Sequence, residues 1–217
     1  MNVTEAVAAR RSIRSFLDTP VSDSLLRELL EKAARAPSGG NVQPWQVRVI
    51  NGTRTHDFLA HLQNQEIREQ PAYDIYPKDL PSPYRDSRFK VGEDMYGLLG
   101  IPREDKAARF AHLARNYEFF GAPAAFFCLI DKTMGPPQWS DLGMFLQTFM
   151  LLAQEAGIDT CAQEAWATRP KAVTSFLQTP DNLMLFCGMA IGYRNPEAPV
   201  NTLVSDRMPL ESWATFV

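Results

Sequence analysis

Residues 36–45 read Ala36-Pro37-Ser38-Gly39-Gly40-Asn41-Val42-Gln43-Pro44-Trp45 and separate a helical pattern from a strand pattern. Pro37 ends the preceding helix, and Pro44 leads into the strand that follows. A simple connection between a helix and a strand needs about two to six residues and no special chemistry. The surplus of glycine and short polar side chains therefore indicates a loop that binds a ligand.

The elements on either side of this loop follow from hydrophobic periodicity. Asn2 and Glu5 are placed to form a capping box on a short first helix. Ser22 is placed to cap an amphipathic helix whose apolar face comprises Leu25, Leu26, Leu29, Leu30 and Ala33. After the loop, apolar side chains alternate with polar ones at Trp45, Val47 and Val49. This alternation has the period of a strand, so the loop is predicted to join a helix to a strand.

Further apolar segments complete the predicted core. The runs 124–130 and 183–192 are typical of buried strands. A long helix, apolar around most of its circumference, is predicted to begin at Ser140 or Asp141 and to end at Gly157. Because helices and strands mix without strict alternation, we predict an α+β fold with a sheet flanked by helices, in one domain spanning 1–217.

Two regions depart from regular patterns. Prolines and tyrosines interrupt residues 63–88, and a helical pattern resumes over 89–99 and again from Pro102 to about Phe119. A connection of this length in a compact domain is usually functional or disordered, and its aromatic content favours an ordered lid, so 63–100 is predicted to be an excursion of that kind. The proline-containing tail, 193–217, is predicted to be an extended arm.

The charge balance and the apolar segments narrow the class of protein. A net charge of −3 over 217 residues argues against nonspecific binding to nucleic acid. The first residues lack the pattern of a signal peptide, and the most apolar long segment, 142–156, is too short to span a bilayer. These features predict a cytoplasmic protein that binds neither nucleic acid nor membrane.

The cysteines and histidines give little support for a metal centre. Cys128, Cys161 and Cys187 are widely spaced and lie in apolar runs, so they are interpreted as small buried hydrophobic residues. His56 and His61 are near each other in sequence, but no set of ligands with metal spacing accompanies them. No metal is expected.

The densest cationic run contains Arg10, Arg11, Ser12 and Arg14. Such a run is most often a solvated helix end. Here the hydroxyl of Ser12 interrupts the run, and the apolar Ile13 and Phe16 anchor it, which favours a binding role. Guanidinium forks match the oxygens of a phosphate monoester. No glycine-rich dinucleotide or Walker-type phosphate loop is present.

Five motifs follow one another along the chain, namely Arg10-Arg11-Ser12-Ile13-Arg14-Ser15-Phe16, the loop 36–45, Gly157-Ile158-Asp159-Thr160-Cys161-Ala162-Gln163-Glu164-Ala165-Trp166, Pro199-Val200-Asn201 and Arg207-Met208-Pro209-Leu210. Together these motifs resemble those of the FMN-dependent nitroreductase family. They occur in the family's order from Arg10 to Trp213, which covers nearly the whole chain. The first two are specific at this spacing, and the others are supportive.

The resemblance implies roles for individual residues. Arg10, Ser12 and Arg207 would hold the FMN phosphate, Arg11 would lie near the ribityl-phosphate end, and Arg14 would face the pyrimidine edge of the isoalloxazine. The neighbouring subunit of a homodimer would contribute Pro37, Ser38, Gly39 and Asn41. Backbone groups, with N–H donors toward N5 and O4, would come from Gln163, Glu164 and Ala165.

The resemblance also implies a fold and an activity. The fold would be a central mixed sheet flanked by helices, with the C-terminal arm reaching the partner subunit. NADH or NADPH would pass hydride to flavin N5, and an aromatic oxidant such as a nitroaromatic or quinone would then take its place, giving ping-pong kinetics. No side chain is assigned as a catalytic acid or base.

Other functions stay open from the sequence. A reductive dehalogenase and an oxygen-dependent enzyme that fragments flavin share the same cofactor motifs, and nothing in 63–88 distinguishes them. A phosphate- or nucleotide-binding module without catalytic activity could use the same arginine cluster.

Overall fold

A four-stranded sheet forms the centre of the computed structural model, which describes residues 1–217. Its strands are β1 (Gln46–Asn51), β2 (Ala124–Asp131), β3 (Asp159–Gln163) and β4 (Leu183–Gly192), in the order β1-β2-β4-β3. The three strand pairs are antiparallel, and an isolated parallel bridge joins Ser12 to Thr160 of β3. The α+β class predicted from the sequence is confirmed.

Seven helices surround this sheet. They are α1 (Val3–Ala9), α2 (Asp23–Ala33), α3 (Thr53–Gln63), α4 (Tyr84–Leu98), α5 (Lys106–Ala114), α6 (Pro136–Glu155) and α7 (Pro170–Leu177). None of them combines the length and the apolar character that a membrane span requires. The predicted capping groups are confirmed, because Asn2 and Glu5 form a capping box at α1 and the Ser22 hydroxyl accepts from Leu25 N at α2.

The core lies on both faces of the sheet, which explains why the two central strands are apolar along most of their length. On one face, α2 and α6 pack against β2 and β4, with Phe126 meeting Phe149 edge to face at 5.0 Å. On the other face, Phe58 of α3 packs with Phe127 and Trp166. Gly188 allows this packing, since a Cβ there would lie 2.3 Å from Trp166 Cδ1.

Three predicted helix boundaries were wrong. Helix α4 begins at Tyr84 instead of Phe89, and α5 begins after Asp105 instead of at Pro102 because the Asp105 carboxylate caps it by accepting from Ala108 N. Helix α6 begins at Pro136, so that neither Ser140 nor Asp141 caps it. A proline with its fixed φ suits a first helical turn, and this preference outweighs the weaker signal of the later polar residues.

Residues 64–83 cover the part of β4 that β3 leaves unpaired. Strand β3 ends at Gln163, opposite Gly188, so Phe186 lies beyond the pairing of β3 with β4. The Tyr73 hydroxyl donates to the Phe186 carbonyl, and the Tyr73 ring packs against Trp139 and Phe186. The excursion is therefore held at the sheet edge. Its role as a lid stays a prediction.

Candidate cofactor site

The basic run lies directly after α1 in an extended conformation. Ile13 donates its N–H to the Thr160 carbonyl at 3.1 Å, and its side chain is fully buried. Since side chains alternate along an extended chain, Ser12 and Arg14 point away from the core when Ile13 points into it. The anchoring role predicted for Ile13 thus directs its polar neighbours toward a surface cavity.

This arginine cavity has a volume of about 470 Å³ and lies between the basic run and the C-terminal tail. Its charged lining residues are Arg10, Arg11, Arg14 and Arg207, and no carboxylate lines it. Ser12, Ser205 and Gln147 of α6 add neutral polar groups. Four guanidinium groups without a countercharge form a site that suits a dianion such as a phosphate monoester.

The state of individual arginines supports the same interpretation. Burial, together with the Arg207 charge, lowers the pKa of Arg10 from its ordinary value. The Nε atom of Arg11 is buried and has no hydrogen-bond partner. Buried polar groups in folded proteins nearly always have partners. An anion in the cavity would favour the charged form of Arg10 and would give Arg11 Nε an acceptor. These residues therefore fit the phosphate of FMN.

Asn201 joins the two sides of the cavity, a role that the sequence analysis did not assign. Its Oδ1 accepts from Arg14 N at 2.9 Å, and its Nδ2 donates to the Ser15 carbonyl at 2.8 Å and to the Asn195 carbonyl at 3.0 Å. The residue is buried. Asn201 therefore fixes the start of the tail, which carries Arg207, against the basic run.

The loop 36–45 does not line the arginine cavity of its own chain. It packs on α6, where Gly39 N donates to the Asp141 carboxylate at 3.2 Å and Trp45 stacks on Phe145 at 5.0 Å. Gln43 N donates to the Ser38 hydroxyl. Gly40 and Asn41 both have a φ of 58°, a conformation that favours glycine and asparagine. Pro37, Ser38, Gly39 and Asn41 thus form an ordered turn apart from the arginines.

The predicted flavin-edge segment follows β3. The Gln163 side chain is committed to structure, because it donates to the Asn116 carbonyl at 2.7 Å and accepts from Trp166 Nε1 at 3.3 Å. This side chain is therefore not free to bind a ligand. Desolvation of its carboxyl group raises the pKa of Glu164, although much of that residue is exposed. The Ala165 carbonyl accepts from the Thr168 hydroxyl.

The structure therefore brings together some predicted site residues and separates others. Arg10, Arg11, Ser12, Arg14 and Arg207 line one cavity. The residues of 37–41 and 163–165 lie outside it. Asn201 and Gln147 were missed as site residues, and only Asn201 carried a sequence signal, since it belongs to a motif quoted for the family. No group of histidine, cysteine and acidic side chains in the structure is arranged to hold a metal ion.

Comparison with known proteins places this chain in a family. The family model described as Nitroreductase family matches residues 7–193. A 4-nitrobenzoate reductase of Pseudomonas putida is 38% identical over 94% of this chain and 89% of its own length. A nitrobenzene nitroreductase of Ectopseudomonas oleovorans is 33% identical over 99% of this chain and 96% of its own length.

Solved structures agree in fold. A crystal structure of the FMN and NADPH-dependent nitroreductase NfnB from Sphigopyxis sp. strain HMH is 44% identical, with a TM-score of 0.95, and covers 100% of this chain and 99% of its own. The FMN-dependent NfnB from Mycobacterium smegmatis, solved in complex with NADPH, is 25% identical with a TM-score of 0.90 and 100% of both chains covered. The chain belongs to the nitroreductase family.

Proposed function

We propose that this protein is an FMN-dependent oxidoreductase that uses NAD(P)H to reduce nitroaromatic or quinone-type compounds. The observation that carries the proposal is the arginine cavity, in which four guanidinium groups converge with no carboxylate among the lining residues. The nitroaromatic substrates named for the full-length relatives in Pseudomonas and Ectopseudomonas support the substrate class.

The residues of the chain would hold FMN by charge and by backbone groups. Arg10, Ser12 and Arg207 bind the phosphate in this proposal, with Arg11 near the ribityl-phosphate end. Arg14 places a positive charge beside the isoalloxazine, where such a charge stabilises negative charge that develops on reduction. When bound, FMN supplies the hydride-accepting and hydride-donating chemistry. The backbone groups of Gln163, Glu164 and Ala165 would border the ring system.

The proposal includes a homodimer. Pro37, Ser38, Gly39 and Asn41 are ordered, yet they do not line the cavity of their own chain. An ordered turn of this kind, mostly open to solvent, could cover the flavin of a partner subunit. The tail over 193–217 would extend along that partner, and we expect the enzyme to work in the cytoplasm, where NAD(P)H is available.

The cofactor proposal is tested by purifying the protein and recording its absorbance. We expect a yellow protein with an FMN spectrum, or a colourless one that becomes yellow on reconstitution, and oxidation of NAD(P)H when a nitroaromatic compound is added. A protein that neither contains FMN nor takes it up would overturn the proposal and favour a binding module without redox chemistry.

Arg207→Ala tests the assigned phosphate contact. A charged hydrogen bond contributes about 1.5–3 kcal/mol, so the Kd for FMN should rise by roughly 10- to 100-fold. The melting temperature of the apoprotein should change little, because Arg207 is exposed and bonds only to Ser205 and Asp206. Arg27→Ala, an exposed position on α2, is the matched control. Unchanged FMN affinity would remove Arg207 from the site.

A further inference from the structure

A second cavity adjoins the arginine cavity. It lies between α4 and the tail, has a volume of about 730 Å³, and shares Val91, Ser205 and Arg207 with its neighbour. We call it the tyrosine cavity, because Tyr76 and Tyr84 line it. Its volume lies in the range of sites that bind small molecules. A ligand seated there would be close to whatever occupies the arginine cavity.

The charges of the tyrosine cavity are unevenly compensated. Lys90 binds two carboxylates, that of Asp94 at 2.7 Å and that of Asp206 at 2.8 Å. Arg88 and Arg207 form no ion pair. The two lining carboxylates are thus both engaged by Lys90. Arg207 is assigned to the FMN phosphate, so the Arg88 guanidinium is the one left for an anion in this cavity.

The aromatic side chains are open to a ligand. Tyr76 is 46% exposed and Tyr84 is 63% exposed, which is high for residues of this size. The Arg88 guanidinium lies 4.1 Å from the centroid of the Tyr76 ring, so the ring and the cation are already held together. Stacking surfaces beside an uncompensated guanidinium are suited to a flat ring that carries an anionic group nearby.

We propose that the tyrosine cavity binds the adenosine end of NADPH, with Arg88 contacting the 2′-phosphate. The inference rests on the proposed function, since it assigns a site to the electron donor of that reaction. An arginine is the residue type that accommodates the 2′-phosphate in other NADP-binding proteins. The cavity adjoins the cofactor cavity through Arg207, so a nucleotide bound there could reach toward FMN.

The test compares NADPH with NADH, which lacks only the 2′-phosphate. In the FMN-loaded enzyme we expect the wild type to prefer NADPH. Arg88→Ala should lower the ratio of kcat/KM for NADPH to kcat/KM for NADH by about tenfold or more. Arg88→Lys should give a smaller decrease, because it keeps the charge and loses the fork.

Arg85→Ala is the matched control. Arg85 lies on the same helix, is exposed, pairs with Asp86 at 3.1 Å and does not line the cavity, so this variant should leave the ratio unchanged. A wild type that does not prefer NADPH, or an Arg88→Ala ratio within twofold of wild type, overturns the inference. A protein that binds no FMN instead contradicts the proposed function, and the two failures are therefore distinguishable.

A second pair of substrates tests whether the tyrosine cavity binds the oxidant instead of NADPH. An aromatic carboxylate oxidant would offer the same combination of ring and anion, so we compare 4-nitrobenzoate with 4-nitrobenzyl alcohol in wild type and Arg88→Ala. If Arg88→Ala lowers only the preference for 4-nitrobenzoate and leaves the nucleotide ratio unchanged, the cavity recognises the oxidant and the inference is wrong. If it lowers the nucleotide ratio, the inference is supported.

Discussion

Two groups of arginines in this molecule differ in their partners. Arg169 pairs with Glu69 at 3.1 Å, and Arg194 donates to the Asp159 carboxylate at 2.8 Å. The second group, Arg10, Arg11, Arg14 and Arg207, shares a cavity without any carboxylate. The first group links distant parts of the fold. The second group concentrates positive charge that the protein does not neutralise, which is the property of an anion site.

The two groups of arginines differ in how their charge is compensated. A buried charge is costly unless a partner and hydrogen bonds compensate it. Glu69 compensates Arg169 and also accepts from Lys171 N and Ala172 N at the start of α7. The arginines of the cavity are only partly buried, with Arg207 exposed, so they can remain charged although the chain provides no such partner. A bound anion that contacts only the folded state would supply it and would stabilise the protein.

The largest expected effect comes from breaking the paired group. Glu69→Ala leaves Arg169 buried without its carboxylate, since these side chains are only 3% and 8% exposed. Removing one partner of a buried pair destabilises a protein by about 3–5 kcal/mol. Urea unfolding should show a loss of this size. A loss below about 1 kcal/mol would mean that the pair behaves as a surface pair.

Two variants sharpen this result. Glu69→Gln keeps an oxygen that can accept from the start of α7 but removes the charge, so its stability should lie between those of Glu69→Ala and wild type. Asp57→Ala removes the partner of Arg54 in an exposed pair at 3.6 Å. This control should cost at most about 1 kcal/mol.

A smaller effect is expected from disturbing the frame of the unpaired group. Asn201→Asp replaces a donor to the Ser15 and Asn195 carbonyls with a carboxylate oxygen, although the acceptor for Arg14 N is kept. Loss of buried hydrogen bonds costs about 1–3 kcal/mol. Asn201 holds the backbone of Arg14 and Ser15, which lie beside the proposed phosphate site. The preference for FMN over riboflavin should therefore fall by roughly tenfold.

Riboflavin is the informative comparison because it lacks the phosphate. Equal weakening of both ligands would show that Asn201 acts on the fold alone. Asn195→Asp is the matched control, since the Asn195 side chain accepts from Glu197 N and an aspartate can do the same. Fluorescence titration of the apoproteins with both flavins measures the preference.

The smallest expected effect on stability concerns His112. This histidine forms no ion pair with a carboxylate, and its buried Nε2 has no hydrogen-bond partner. Burial lowers its pKa, and the charges of Arg115 and Arg14 lower it further. The native state therefore resists protonation, while the unfolded chain binds a proton at its ordinary pKa of about 6.5. The contribution to stability is present above this pH and is lost as pH falls toward the folded pKa.

His112→Gln should remove this part of the pH dependence. The free energy of unfolding of wild type should fall more between pH 7.5 and 5.5 than that of the variant. His56→Gln, at an exposed position of α3, should behave like wild type. If His112→Gln and wild type lose stability in parallel, His112 does not contribute to the acid sensitivity.

Local patterns predicted much of the fold. The capping residues of α1 and α2 and the buried runs of β2 and β4 were found from the sequence because hydrogen bonds between near neighbours and apolar periodicity determine them. The predicted start of α6 was wrong because several polar residues in this segment could cap a helix. The path of the chain through Gly135 and Pro136 determines where the helix begins.

The candidate site divides in the same way. The sequence by itself determined that a dense arginine run with a hydroxyl exists, that it is anchored by Ile13, and that its motifs resemble those of nitroreductases. The resemblance also implied that Arg207 joins Arg10, but only the tertiary structure decided that both line one cavity and that no carboxylate enters it. The physical reason is that contacts between sequence-distant residues depend on the sheet register and on the Asn201 hydrogen bonds, which no local pattern encodes.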